Sequence, residues 1–222
     1  YASLFAEPVY QALGTIQMED QGSGRSLLDQ LGASESASNV EAELLVMKSL
    51  RVATDAARLG GLHVVIEERH AYRPLETALF ALGWRPAPCR LDVAAAPPPP
   101  GRPSRHFDIE VAAAPDRTLV VRPAGGGEAL ATGAFTPGSA AAPGLASFAL
   151  DGVPFTLTVV EGDPAGRVFR LRWTTLPDAA TWVQACAVAE QAGMHTGFVS
   201  IGAKGSNPHW VQRKAQALQQ AY

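Results

Sequence analysis

Hydrophobic and polar positions alternate strictly near the start of the chain. From Tyr10 to Glu19, Ala12, Gly14, Ile16 and Met18 fall on one side, with Gln11, Leu13, Thr15, Gln17 and Glu19 on the other. That period of two predicts a β-strand, weakened slightly by Gly14. Asp20–Asn39 is rich in Gly and Ser and predicts a loop, in which Leu27-Leu28 touches the core. Val40–Leu59 contains neither Pro nor Gly, follows two good N-caps in Ser38 and Asn39, and is stopped by Gly60-Gly61. It predicts a helix whose inward stripe is Leu45, Val52, Ala56 and Leu59, flanked by Leu44 and Met47. Leu62–Ile66 is a short apolar run of either type, and Pro74–Leu82 predicts a second helix with Pro in its first turn.

Farther along, the texture changes. Ala87–Pro103 contains Ala-Ala-Ala-Pro-Pro-Pro-Pro, which predicts a polyproline-like connector unable to pair in a sheet. Short strands are predicted at His106–Ala112, Thr118–Arg122, Phe148–Leu150, Phe155–Val160 and Val168–Trp173. Turns such as Gly125-Gly126-Gly127 and Glu161-Gly162-Asp163-Pro164 separate them. The C-terminal section predicts a short helix from Pro177 to Gln184, a strand at Cys186–Glu190 and another at Met194–Ala203. A last helix then opens with Asn207 as N-cap and Pro208 at N1 and runs to Tyr222. Its last turn lacks a C-cap, so the natural polypeptide is expected to continue. No internal repeat is visible.

Taken together these elements predict an α+β fold: a mixed sheet formed by the N- and C-terminal strands packed with helices, plus a small antiparallel β lobe inserted in the middle. The expected boundaries are 1–104 for the first part of the α/β base, 105–173 for the lobe and 174–222 for the rest of the base.

Composition narrows the function. The 222 residues carry a net charge of −3, which supplies no excess of cations for displacing counterions from nucleic-acid phosphate. No apolar run reaches 18 residues, so no membrane span is expected, and no secretory leader pattern opens the chain. Two cysteines, Cys89 and Cys186, are too few for a disulfide scaffold or a thiolate zinc site.

Candidate chemistry is sparse. Gly197-Phe-Val-Ser200-Ile-Gly202 misses the nucleophile-elbow pattern by one residue, and Ser200 is expected inside a regular strand. Glu67-x-x-His70 has the spacing of half a dimetal site, but no second copy exists, and with His63 these read as ordinary polar residues. His106, His195 and His209 lack ligand spacing. Gly202-Ala-Lys204-Gly205-Ser206 has phosphate-loop residue types in the wrong order, and leads into a helix N-terminus that reads as a plain turn. Cys89 and Cys186 could bond in an oxidising compartment, and the default for Cys186, in an apolar run, is a buried free thiol. Trp84, Trp173, Trp182 and Trp210 are spread out, as core residues are. No catalytic, cofactor-binding or metal-binding residue is assigned, no cofactor is expected, and the chain is not expected to be an enzyme.

A family resemblance adds to this. Tyr10-x-Ala12-x-Gly14-Thr-Ile-Gln-Met-Glu19 resembles the opening strand of Wzz-type chain-length determinant domains. Glu43-Leu44-x-Val46-Met47-Lys48-Ser49-x-Arg51-Val52 resembles that family's helix motif. Gly193-Met-His-Thr196-Gly197, followed by Gly205-Ser-Asn-Pro208 and Tyr222, resembles the closing strand, turn and helix. The β lobe is similar to that of the longer exopolysaccharide branch, whose members carry or recruit a tyrosine autokinase.

The resemblance implies a polysaccharide co-polymerase of the bacterial inner membrane, this chain being its periplasmic part. It implies ring-like self-assembly controlling polymer length and export. The implied partners are further copies of itself, the polysaccharide polymerase, an outer-membrane export protein and the polysaccharide. Glu43, Lys48 and Arg51 are its candidate oligomer contacts. Two rivals are a carbohydrate-binding module, which needs exposed rings in a groove whereas Phe107, Phe135, Phe148, Phe155 and Phe169 of the lobe suit packing better than hydrogen-bonding to sugars, and a hydrolase using Ser200.

Overall fold

The computed structural model describes residues 9–17, 44–69, 82–83, 89–99, 101–113, 116–136, 144–191 and 198–222. They divide into two units, one spanning His63–Thr175 and the other combining Pro8–Leu62 with Leu176–Tyr222. The first unit is therefore inserted into the second. The predicted loop at Asp20–Asn39 and nearly all of the predicted helix at Pro74–Leu82 lie outside the described residues.

The inserted unit is one eight-stranded sheet. Its strands are β2 (Val64–Glu68), β3 (Arg90–Ala95), β4 (Arg105–Val111), β5 (Thr118–Pro123), β6 (Ala131–Thr136), β7 (Leu145–Leu150), β8 (Val153–Glu161) and β9 (Val168–Trp173). Their order is β2-β9-β4-β5-β6-β7-β8-β3, with every neighbouring pair antiparallel. The sheet curls until its two end strands, β2 and β3, approach each other, making a nearly closed barrel.

Alternation explains the closure. Phe107, Ile109 and Val111 on β4, Phe169, Leu171 and Trp173 on β9, and Ala146, Phe148 and Leu150 on β7 all turn inward. At the centre Phe148 stacks on Phe155 with centroids 5.1 Å apart, and Trp173 meets Phe155 edge-on at 5.1 Å. Residues of the same strands that point outward are mostly polar. Asp108 is the exception in exposure: it is buried beneath two arginines, accepting from Arg69 Nη1 at 3.0 Å and Arg170 Nε at 3.3 Å. Asp151-Gly152 joins β7 to β8 with φ of +51° and +80°, the backbone a two-residue hairpin of this twist requires.

Two polar contacts tie the β2 and β3 segments together, and a third reaches the β3 segment from β9. The Glu68 carboxylate accepts from the Cys89 amide at 2.8 Å, immediately before β3. His63 Nε2 lies 2.8 Å from the Ala95 carbonyl, and Trp173 Nε1 donates to the Ala96 carbonyl at 2.9 Å. These take the place of a ladder that the two end strands do not share.

The second unit contains β1 (Tyr10–Gln17), α1 (Leu50–Leu59), α2 (Leu176–Cys186), β10 (Ala187–Gln191), β11 (Phe198–Gly205) and α3 (Pro208–Ala221). Its sheet has the order β1-β11-β10, and β1 pairs antiparallel with β11 from Tyr10↔Gly205 to Gln17↔Phe198. Helix α3 packs on β1 and β11, and α1 packs on α2 and α3. Gly14 marks the close approach of α3, since a Cβ there would run into the Gln219 side chain. The closing helix has the predicted cap: Asn207 accepts from the His209 and Trp210 amides, with Pro208 behind it.

The expected α+β fold with a small lobe is thus corrected. The chain is mostly β, and its larger body is the barrel-like sheet. The discrepancy has a physical cause in three segments. The ambiguous run near Leu62–Ile66 supplies β2, paired with β9. Strand β3 occupies the front of the expected connector and pairs with β8 before the prolines begin. Strand β6, Ala-Thr-Gly-Ala-Phe-Thr, has almost none of the β-branched apolar residues that mark strands, and its partners hold it in place.

The first helix is corrected too. Lys48-Ser49 interrupts it, and Ser49, with extended backbone at φ −70° and ψ 153°, caps a new helix by accepting from the Val52 amide. The interruption puts Leu44–Met47 out of phase with α1, whereas Leu59, in phase with Val52, is the last residue of α1. Leu45 and Leu59, expected inward, are 72% and 60% exposed, while Ala53 and Ala57 join Val52 and Ala56 on the buried face.

Candidate functional site

The segment Leu44–Leu59 presents the most unusual surface among the described residues. Its inner face is built from small side chains, Ala53, Ala56 and Ala57 with Val52, which let α2 and α3 come close. Both ends are pinned by side chains from those helices. Gln184 Nε2 donates to the Lys48 carbonyl at 2.9 Å, and Arg213 Nε donates to the Gly60 carbonyl at 2.9 Å. The outer face is consequently a fixed ridge.

That ridge carries Lys48, Arg51 and Arg58, all exposed, with Asp55 3.4 Å from Arg58 as an i,i+3 pair worth little by itself. Leu45, Val46, Leu50 and Leu59 are also exposed along it. Four large apolar side chains beside three cations suit contact with another macromolecule better than contact with water. Of the three residues proposed from sequence, Lys48 and Arg51 lie on this ridge and Glu43 lies outside the described residues. Leu50 and Arg58 were not proposed as contacts, and Leu59 was expected on the inward stripe. The usable signal is Ser49, a strong N-cap inside an apparently continuous helix, which places Leu50 in the first turn of α1.

The other sequence candidates fall elsewhere. Ser200 sits in β11 opposite Thr15 on one side and Glu190 on the other, in regular pairing. His70 and His195 lie outside the described residues, and His63 is buried against the Ala95 carbonyl. Among the described residues no group of three His, Cys, Asp or Glu is placed to hold a metal ion. At the Gly205–Pro208 turn, the Asn207 side chain accepts the two amides that an anion would otherwise meet.

The aromatic and thiol residues are structural in placement. Phe107, Phe135, Phe148, Phe155 and Phe169 are all buried in the barrel core, so none offers a ring to a sugar. Cys89 and Cys186 are free thiols. Burial pushes the Cys89 thiol up to about 12, against a smaller lowering by nearby Arg167, so it stays protonated at neutral pH. Cys186 is half-buried rather than buried as expected.

No protein-family model matches this sequence, and no curated protein matches it either.

Proposed function

We propose that this chain is a non-enzymatic assembly domain, the periplasmic part of an inner-membrane polysaccharide co-polymerase of the exopolysaccharide branch. It acts by shape and self-association. Copies arranged as a ring over the membrane set the length of the polymer made by the polymerase and guide it toward the outer-membrane export protein. The observation that carries this reading is the ridge of Leu44–Leu59, where exposed apolar side chains flank Lys48, Arg51 and Arg58 on a rigidly held helix. The eight-residue pairing of β1 with β11 adds support, because it closes one base from the two segments that resemble the family's opening and closing strands. No helix among the described residues is long and apolar enough to cross a membrane, so membrane attachment in this proposal belongs to the parent polypeptide.

The test is the double substitution Leu50→Glu with Leu59→Glu in the parent. Both side chains are exposed, so the change in folding stability is expected within about 0.5 kcal/mol for each. The length distribution of the exported polysaccharide is expected to shift or collapse. An unchanged distribution, with the variant present at normal level, removes the ridge from the assembly and the reading with it.

A further inference from the structure

Cys186 is the last residue of α2, and Lys214 sits midway along α3. The lysine is only 3% exposed. Its Nζ lies 3.5 Å from Cys186 Sγ and 3.7 Å from the centroid of the Trp182 ring. A flexible four-carbon stem is thus held with its amine next to a sulfur, and Cys186 itself is only half-buried, at the end of α2.

We propose that Cys186 and Lys214 form an oxidation-triggered covalent cross-link, a sulfenamide, with a hydroperoxide as the oxidant. In the first step the Cys186 sulfur attacks one oxygen of hydrogen peroxide; an S–O bond forms, the O–O bond breaks, the thiol proton passes to the departing hydroxide, and one water leaves, giving the sulfenic acid. In the second step the Lys214 amine, having released its ammonium proton to solvent, attacks the same sulfur. The S–N bond forms, the S–O bond breaks, and a second water leaves. Sulfur is oxidised by two electrons and peroxide is reduced by two. Sulfenic acids condense with nitrogen nucleophiles in this way when one is held adjacent, and a thiol reverses the product. The bond would fasten the end of α2 to α3 and report the redox state of the surroundings.

The experiment is treatment of the purified chain with a small excess of hydrogen peroxide, followed by non-reducing tryptic digestion. Cleavage after Arg172, Lys204 and Arg213 isolates Trp173–Lys204, which holds Cys186, and Lys214–Tyr222, in which a modified lysine resists trypsin. The two peptides are expected joined, about 2 Da below the sum of their masses, and separable by dithiothreitol. Lys214→Met is expected to abolish the joined species and raise capture of the Cys186 sulfenic acid by dimedone several-fold. Cys186→Ser is expected to abolish both, which keeps the test valid if the lysine variant does not fold. The proposal is overturned if wild-type Cys186 is captured by dimedone, or ends in a disulfide with Cys89 or a second chain, with no joined peptide. It is equally overturned if Cys186 resists the peroxide altogether.

Discussion

Trp173→Ala is expected to cost the inserted unit about 3–5 kcal/mol, the usual range for deleting a fully buried tryptophan. Trp173 is 1% exposed, packs edge-on against Phe155 at 5.1 Å, and donates to the Ala96 carbonyl at 2.9 Å. Its loss opens a cavity in the centre of the core and leaves that carbonyl without its indole donor. A domain of this size is stabilised by about 5–15 kcal/mol in all, so the variant should melt well below the parent or populate the unfolded state. Trp173→Phe separates the two contributions, since it retains most of the ring volume and removes only the hydrogen bond, at a net cost of about 1 kcal/mol plus a small cavity term. Chemical denaturation followed by circular dichroism measures both. A loss below about 1 kcal/mol for the alanine variant would mean that Trp173 does not fill the barrel.

Glu68→Ala is the second large effect, expected at about 3–5 kcal/mol. Arg167 Nη1 donates to Glu68 Oε1 at 2.6 Å, and both side chains are only 13% exposed. The other carboxylate oxygen accepts from the Cys89 amide. One side chain therefore neutralises a largely buried guanidinium and also fastens β2 to the approach of β3. Removing it leaves the guanidinium poorly solvated and deprives the Cys89 amide of this acceptor. Replacing both partners with apolar residues, Glu68→Leu with Arg167→Met, is expected to recover much of the loss, because the desolvation cost of the pair disappears along with its attraction. Equilibrium denaturation of the two singles and the double completes the cycle. A single-variant cost under about 1 kcal/mol would class the pair with exposed salt bridges and deny it a role in closing the sheet.

Much of the chain was legible because alternation and capping are local. The strands at Thr118–Pro123 and Val168–Trp173, and the Asn207-Pro208 helix start, are readable from residue type alone. So is the strand at Tyr10–Gln17. What escaped depends on partners distant in sequence. Arg90–Ala95 precedes four prolines and looks like part of a connector, yet β8 lies beside it and supplies its ladder. Ala131–Thr136 has little strand propensity, and its neighbours β5 and β7 impose the extended form. With β2 added, those strands change a small lobe into a nearly closed eight-stranded body, so the fold class failed on three short segments. Asp151-Gly152 was a usable hairpin signal for extending Phe148–Leu150 back to Leu145.

The candidate site was half legible. Lys48 and Arg51 belong to the helix segment that resembles the family motif, and both are exposed. The inward stripe drawn through Leu45 and Leu59 assumed one uninterrupted helix. Ser49 breaks it ahead of α1, which takes Leu45 out of the stripe, while Leu59 is exposed as the last residue of α1.

Self-association in the intact parent is the property on which the functional account turns, and sedimentation velocity of the membrane-extracted, detergent-solubilised polypeptide reads it directly. Closed assemblies of several protomers, dispersed by the paired glutamate substitutions at Leu50 and Leu59, are the predicted result. A parent that sediments as a single protomer at every concentration would contradict it.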